Sequence, residues 1–135
     1  MVKESIIKEK KGANFFGFEA IDEAGRVHHN LAVIRGNGTL KLTSSALIFE
    51  RWLPKKTFSI PLEKIEKIEI KRIHNLKTKL LPILRVYFAG QESFQILGVC
   101  LGFKKATMEW QEEIEKAMVV SGKNIAKDNI KNQND

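Results

Sequence analysis

The residues of this chain best suited to chemistry are cations, and they come in two groups. Arg51-Trp52-Leu53-Pro54-Lys55-Lys56 sets two large apolar side chains among three positive charges. That mixture suits a headgroup boundary: Trp52 and Leu53 would enter the interface while Arg51, Lys55 and Lys56 meet phosphates, each charge contributing about 1 kcal/mol near an anionic surface. The alternative is that Trp52 folds back over a sheet's outer face, covering Ile48, with the lysines in solvent. Lys71, Arg72, His74, Lys77 and Lys79 form the second group. Facing the first across an open sheet end, they would complete a basic cup for a phosphate; otherwise they are a solvated basic loop.

Nothing in the sequence names a reaction. Adjacent His28 and His29 on a strand point to opposite faces, so at most one joins His74, and no cysteine or carboxylate stands at ligand spacing; no metal site is expected. No serine has a nucleophile-elbow pattern and no glycine-rich phosphate loop is present, Gly36-Asn37-Gly38 reading as a hairpin instead. The expectation is a protein with no catalytic residues, no cofactor and no small-molecule substrate. Cys100 lies in an apolar run with Ile96, Leu97, Val99 and Leu101, which reads as a buried, inert thiol in a reducing compartment.

The 135 residues suit one domain, and the net charge of +7 is unevenly spread. From Arg35 to Arg85 there are 12 Lys/Arg against 4 Glu, while the rest of the chain is nearly neutral. Such a field attracts anionic lipid, an acidic protein or nucleic acid, and sign alone does not choose among them. The N-terminus lacks the apolar segment of a signal peptide, and no window approaches the length of a membrane span, so a cytoplasmic location is expected, with a peripheral position at the inner membrane face under the lipid reading.

The elements that must position these groups follow from periodicity and turn chemistry. Residues 1–14 are weakly patterned and read as a flexible segment or frayed helix. Phe16, Phe18 and Ala20 alternate before the turn at Asp22-Glu23-Ala24-Gly25, and Val27–Ile34 returns as a strand. Asn37-Gly38 reads as a type I′ turn into Thr39–Thr43. After Ser44-Ser45, the segment 46–52 turns Leu47 and Phe49 inward and Ile48, Glu50 and Trp52 outward. Phe58 and Ile60 point inward on the next strand, which Pro61 ends, and Ile68 and Ile70 alternate with charges on the following one. His74–Leu80 reads as a loop closed by Pro82; two more strands follow, with Leu84, Val86 and Phe88 inward on one and Phe94 and Ile96 inward on the next. Phe103, Trp110, Ile114, Ala117 and Met118 fall on one face of a helix that Gly122 stops, and 123–135 reads as a disordered polar tail. The expected fold is therefore α+β and mainly antiparallel β: a bent sheet or partly open barrel of seven or eight strands over residues 15–122, capped by one C-terminal amphipathic helix with Trp110 as its plug.

This order of elements resembles the pleckstrin-homology (PH) superfold. The pattern of Gly38, Leu40 and Leu42-Thr43, then Leu47-Ile48-Phe49, then Ile60-Pro61-Leu62, Ile65 and Ile68, resembles its GRAM-like branch over about Leu31 to Met118. The Trp52-Leu53-Pro54 loop, the Ile60-Pro61 step and His74 followed by Lys77-Thr78 are similar to a group of small prokaryotic proteins, with Leu76 where that pattern has glycine. The resemblance implies a non-catalytic binding module for an acidic phospholipid or acidic protein, with Arg51, Trp52, Leu53, Lys55, Lys56, Lys71, Arg72, His74, Lys77 and Lys79 as the ligand-binding residues. The alternatives are a protein–protein scaffold or homo-oligomer, pairing through a strand edge or through Ile48, Trp52, Ile83 and Tyr87, and, last, a nucleic-acid binder, for which few outward aromatics are available to stack on bases.

Overall fold

A computed structural model describes residues 5–29, 36–74, 77–90 and 93–121, with backbone only for 29, 73–74 and 77–80. Eight strands and one helix follow one another: β1 (Ile6–Ile21), β2 (Val27–His29), β3 (Gly36–Thr43), β4 (Ala46–Arg51), β5 (Lys56–Pro61), a 3-10 turn (Leu62–Lys64), β6 (Ile65–His74), β7 (Lys77–Ala89), β8 (Phe94–Cys100) and α1 (Lys104–Val120). The strands form one antiparallel sheet ordered β5-β4-β3-β1-β8-β7-β6, with β2 attached to the end of β1. The sheet is not closed, because β5 and β6 end the order without pairing to each other.

The long strand β1 bends the sheet. Its first part pairs with β3, from Ile6 opposite Thr43 to Phe15 opposite Gly36, and its second with β8, from Asn14 opposite Cys100 to Ile21 opposite Phe94. The register slips between Lys11 and Ala13 against β3 and between Phe15 and Phe18 against β8, and at these slips sit Gly12 and Gly17 with φ of 83° and 87°. Each is a bulge whose backbone suits glycine, and each adds bend and twist. Residues 6–14 are thus sheet and not frayed helix: the charged alternation of this segment belongs to a strand whose outer side is wet. The bulge at Gly17 also breaks the simple alternation expected of Phe16, Phe18 and Ala20. Phe15 and Phe18 reach the main core, while Phe16 joins a smaller cluster with Ile83 and Cys100 on the opposite face.

Three further corrections come from register. Asn37-Gly38 is not a turn: both residues lie within β3, opposite Asn14 and Ala13. Gly38 is required there by crowding, since a Cβ would stand 2.6 Å from the Phe49 ring and collide with the Glu50 carbonyl. The stretch expected as a loop from His74 to Leu80 is instead a hairpin, Ile73 facing Thr78 and His74 facing Lys77. Pro82 fits within β7 because the β6–β7 ladder slips between Lys71 and Ile73 and because β8 pairs only from Leu84 onward, so no ladder needs the missing N–H. On β8 the inward residues are Leu97 and Val99, opposite Val86 and Leu84, so Phe94 is exposed and Ile96 is buried on the other face. A shift of one residue exchanges the faces.

The core fills the bend as expected. Leu47, Phe49, Ile60, Ile68, Leu84, Val86 and Phe88 are buried together, with Phe58 and Ile70 packed against them. Helix α1 contributes Trp110, Ile114, Ala117 and Met118, and Trp110 is 3% exposed. Its burial stabilises by about 2–3 kcal/mol. Lys8 of β1 lies 5.5 Å from the Trp110 ring, and Gln111 Nε2 donates to the Ile68 carbonyl at 3.1 Å, fixing the helix to β6. Phe103 departs from its expected place: it precedes the helix, 76% exposed, and Thr107 takes the buried position, donating to the Phe103 carbonyl. Ser121 ends the helix, its N–H on the Ala117 carbonyl and its hydroxyl on that of Met118. The expected Gly122 stop and the 123–135 tail lie outside the described residues, as does the 30–34 part of the second expected strand.

Gly38→Ala is expected to cost about 3 kcal/mol, because both neighbours of the added methyl are fixed. Thermal denaturation checks this: a midpoint within a degree of wild type would contradict the close approach of β3 and β4.

Candidate binding surface

The turn between β4 and β5 is built from beneath by Arg51. The alternation that turns Leu47 and Phe49 inward extends to this residue, and Arg51 is 7% exposed. Its guanidinium lies 5.8 Å and 5.7 Å from the Phe15 and Phe58 rings, and its Nε donates to the Pro54 carbonyl at 2.8 Å. Arg51 is thus a strut inside the turn, so of the three cations expected on this loop only Lys55 and Lys56 are presented outward. The two phenylalanines stack 5.0 Å apart, and Phe49 stacks on Phe15 at 5.1 Å, so the strut rests directly on the core.

The outer side of the turn is held by β3. Trp52 N–H donates to the Asn37 carbonyl at 3.0 Å and its indole N–H to the Thr39 hydroxyl at 3.1 Å. The indole therefore does fold back on the sheet's outer face, onto Thr39, and keeps 50% of its surface exposed. Gly36 lies beneath the loop, its Cβ position 3.4 Å from the Leu53 carbonyl. The Gly36-Asn37-Gly38 run, expected to make a hairpin, is the platform on which the loop is folded. Leu53, at the apex, is 83% exposed. Lys55 and Lys56 are exposed, Lys56 lying 5.4 Å from the Phe58 ring. Neither lysine has an ion pair among the described residues.

The second basic group does not complete a cup with the first. In the antiparallel order, the β4–β5 turn lies toward the end of the sheet where β1 finishes, as does the turn between β7 and β8; the β6–β7 hairpin lies toward the end where β1 begins. Lys71 and Arg72 are exposed on β6, and Lys71 Nζ is 3.8 Å from Glu69. The side chains of His74, Lys77 and Lys79 lie outside the described residues. The end that carries Trp52 also has an acidic corner. Asp22 accepts from His28 at 2.8 Å and from the N–H groups of Ala24 and Arg26. The His28 bond and the backbone donors hold its carboxyl below the ordinary value.

On the outer face of the β6–β7–β8 part, sequence reasoning missed a polar network. Buried Arg85 pairs with buried Glu19 at 3.0 Å and with Glu69 at 2.8 Å, and Tyr87 donates to the same Glu69 oxygen at 2.6 Å. The available signal was the odd placement of Arg85 and Tyr87 opposite Glu69 and Lys67 on adjoining strands. Burial pushes the Glu69 carboxyl up, but hydrogen bonds from Tyr87 and Arg85 and the charges of Arg85 and Lys71 outweigh it and hold it below its ordinary value.

No family model matches the chain, and no curated protein matches it in sequence. Among solved structures, the DH/PH domains of PDZ-RhoGEF, in complex with activated RhoA, are similar over 87% of this chain at 10% identity with a TM-score of 0.54. The fold is PH-like. This chain spans 30% of the length of that PDZ-RhoGEF chain, so the likeness is to a part of it. A structure concerning SsgB of Streptomyces coelicolor overlaps 87% of this chain and 94% of its own, at 6% identity and a TM-score of 0.33. The Trp52 turn lies toward the end of the sheet where β1 finishes, and α1, the last element, packs against β6 and β7. Among the described residues, no helix is long and apolar enough to cross a membrane.

Because Glu69 titrates lower in the folded chain than in the unfolded one, its contribution is complete above the ordinary carboxylate value and is lost as pH falls through its folded value. Glu69→Gln is therefore expected to cost about 1–2 kcal/mol at neutral pH, through weakened bonds to Arg85 and Tyr87, and to flatten the loss of stability on acidification. Thermal melts from about pH 7 to about pH 3 measure both effects. Equal acid sensitivity in variant and wild type would remove Glu69 from the network's role.

Proposed function

We propose that this chain is a non-catalytic binding module of the GRAM-like kind, and that its β4–β5 turn docks on an anionic phospholipid surface at the inner face of the membrane. One observation carries the reading: the turn presents Leu53, 83% exposed, with half-exposed Trp52 and the lysines Lys55 and Lys56, on a support of buried Arg51. Leu53 beside half-exposed Trp52 makes a small apolar tip that suits the headgroup boundary, where the two ammonium groups meet lipid phosphates. Rigidity lowers the ordering cost of docking. Binding of this kind is modest and reversible, because two charges and two side chains supply only a few kcal/mol. The PH-like fold supports a binding role over a catalytic one.

A second reading is an acidic protein partner for the two exposed lysines of the same turn; the PDZ-RhoGEF DH/PH domains, which share the fold over part of their length, form a complex with a protein, RhoA.

Co-sedimentation with liposomes of graded anionic lipid content at two salt concentrations tests the proposal. Binding is expected to rise with anionic content and weaken with salt. Lys55→Glu with Lys56→Glu should lower the affinity by about thirtyfold or more, and Leu53→Ser should lower it with the melting temperature unchanged. Absence of binding at every composition, or binding indifferent to these substitutions, would overturn the membrane reading.

A further inference from the structure

The gap left between β5 and β6 holds a cleft separate from the Trp52 turn. The sheet opens there because Pro61 and the 3-10 turn carry the chain away from β5 before β6 begins. The result is a cleft of about 490 Å³, within the range of small-molecule sites, bounded on one side by β5 and on the other by the turn that joins β7 to β8. Ile60 and Phe88, both buried members of the core, form its apolar floor. Ser59, Lys64, Ser93 and Gln95 stand around it.

These four polar side chains share an unusual property. Most of the polar groups in the sheet's networks are engaged: Thr39 with Trp52, Glu69 with Arg85 and Tyr87, Lys41 with Glu50. Among the described residues, none of the side chains of Ser59, Lys64, Ser93 and Gln95 has a hydrogen bond or an ion pair. Lys64, Ser93 and Gln95 bring one ammonium, one hydroxyl and one amide to the cleft, while Ser59, between inward Phe58 and Ile60, belongs to its outer rim; none of the cleft's described lining residues is a carboxylate. Three polar side chains without partners among the described residues, one of them positively charged, beside an apolar floor suit a ligand with anionic oxygens on a short apolar stem.

The geometry points to a site for a small amphipathic anion, whose apolar stem lies on Ile60 and Phe88 while its carboxylate or phosphate oxygens meet the Lys64 ammonium and the Ser93 and Gln95 donors. The site does not depend on the β4–β5 turn. A free organic acid and the phosphate of a lipid share this chemistry, and the two are separable by probe.

Amide chemical shifts of the full chain, followed during titration with hexanoate, hexyl phosphate and neutral hexanol, test the site. Expected are saturable shifts at Ile60, Lys64, Gly90 and Gln95 with at least one anion, at an affinity about tenfold or more above that for hexanol. Preference for hexanoate indicates an organic acid, and preference for hexyl phosphate a phosphate ester. Lys64→Gln should weaken the anions about tenfold and leave hexanol unchanged, whereas Lys55→Glu with Lys56→Glu should leave all three unchanged. The site is overturned if these amides do not shift, if hexanol binds as well as the anions, if Lys64→Gln binds them like wild type, or if the turn substitutions abolish binding.

Discussion

Everything in this molecule hangs on β1 serving two sets of partners. A flat strand of sixteen residues could not pair with β3 along one part and β8 along the other and still let both flanking groups of strands close over one core. The bulges at Gly12 and Gly17 supply the bend, and the side chains around them are sorted by it: Phe15 and Phe18 to the inside, Phe16 to the far face. The bend is filled by α1, and the candidate surfaces lie away from it, the Trp52 turn at the end where β1 finishes and the cleft beside the gap between β5 and β6.

From that bend the path to the turn is short. Phe15 is on β1, Phe49 on β4 and Phe58 on β5, and their rings stack into a column on which Arg51 rests. The guanidinium lies against two aromatic rings while its Nε donates to the Pro54 carbonyl of the loop. The core therefore fixes not only the strands but the shape of an exposed loop. Lysine would not reproduce this, since it lacks both the planar contact and the second donor direction.

Much of the fold was legible in the sequence because it is written in local signals. Alternation at Leu47 and Phe49, at Ile68 and Ile70 and at Leu84 and Val86, the stop at Pro61, and the helical spacing of Trp110, Ile114 and Met118 each correspond to the structure. The errors share a physical cause: long-range pairing decides what a local pattern means. Asn37-Gly38 has ideal turn chemistry, but its glycine is needed for the approach of β4; Ile96 and Leu97 are equally apolar, and only register against β7 chooses between them. At the candidate surface, Trp52, Leu53, Lys55 and Lys56 were visible as an odd combination, whereas the inward role of Arg51 was overlooked despite the parity that predicted it. The donors of the β5–β6 gap were invisible, since Lys64, Ser93 and Gln95 acquire meaning only when strands distant in sequence meet.

The pairing of β1 with β8 also has a consequence for how the chain reaches its native state. Phe15 finds Val99 and Ile21 finds Phe94 only after nearly the whole domain has been synthesised, whereas β3, β4 and β5 can pair as successive hairpins early on. Closing so long a loop carries an entropic cost before any contact offsets it. Until β8 exists, the β1 residues from Asn14 to Ile21 lack their β8 ladder, which makes that edge of β1 the last part of the sheet to be covered.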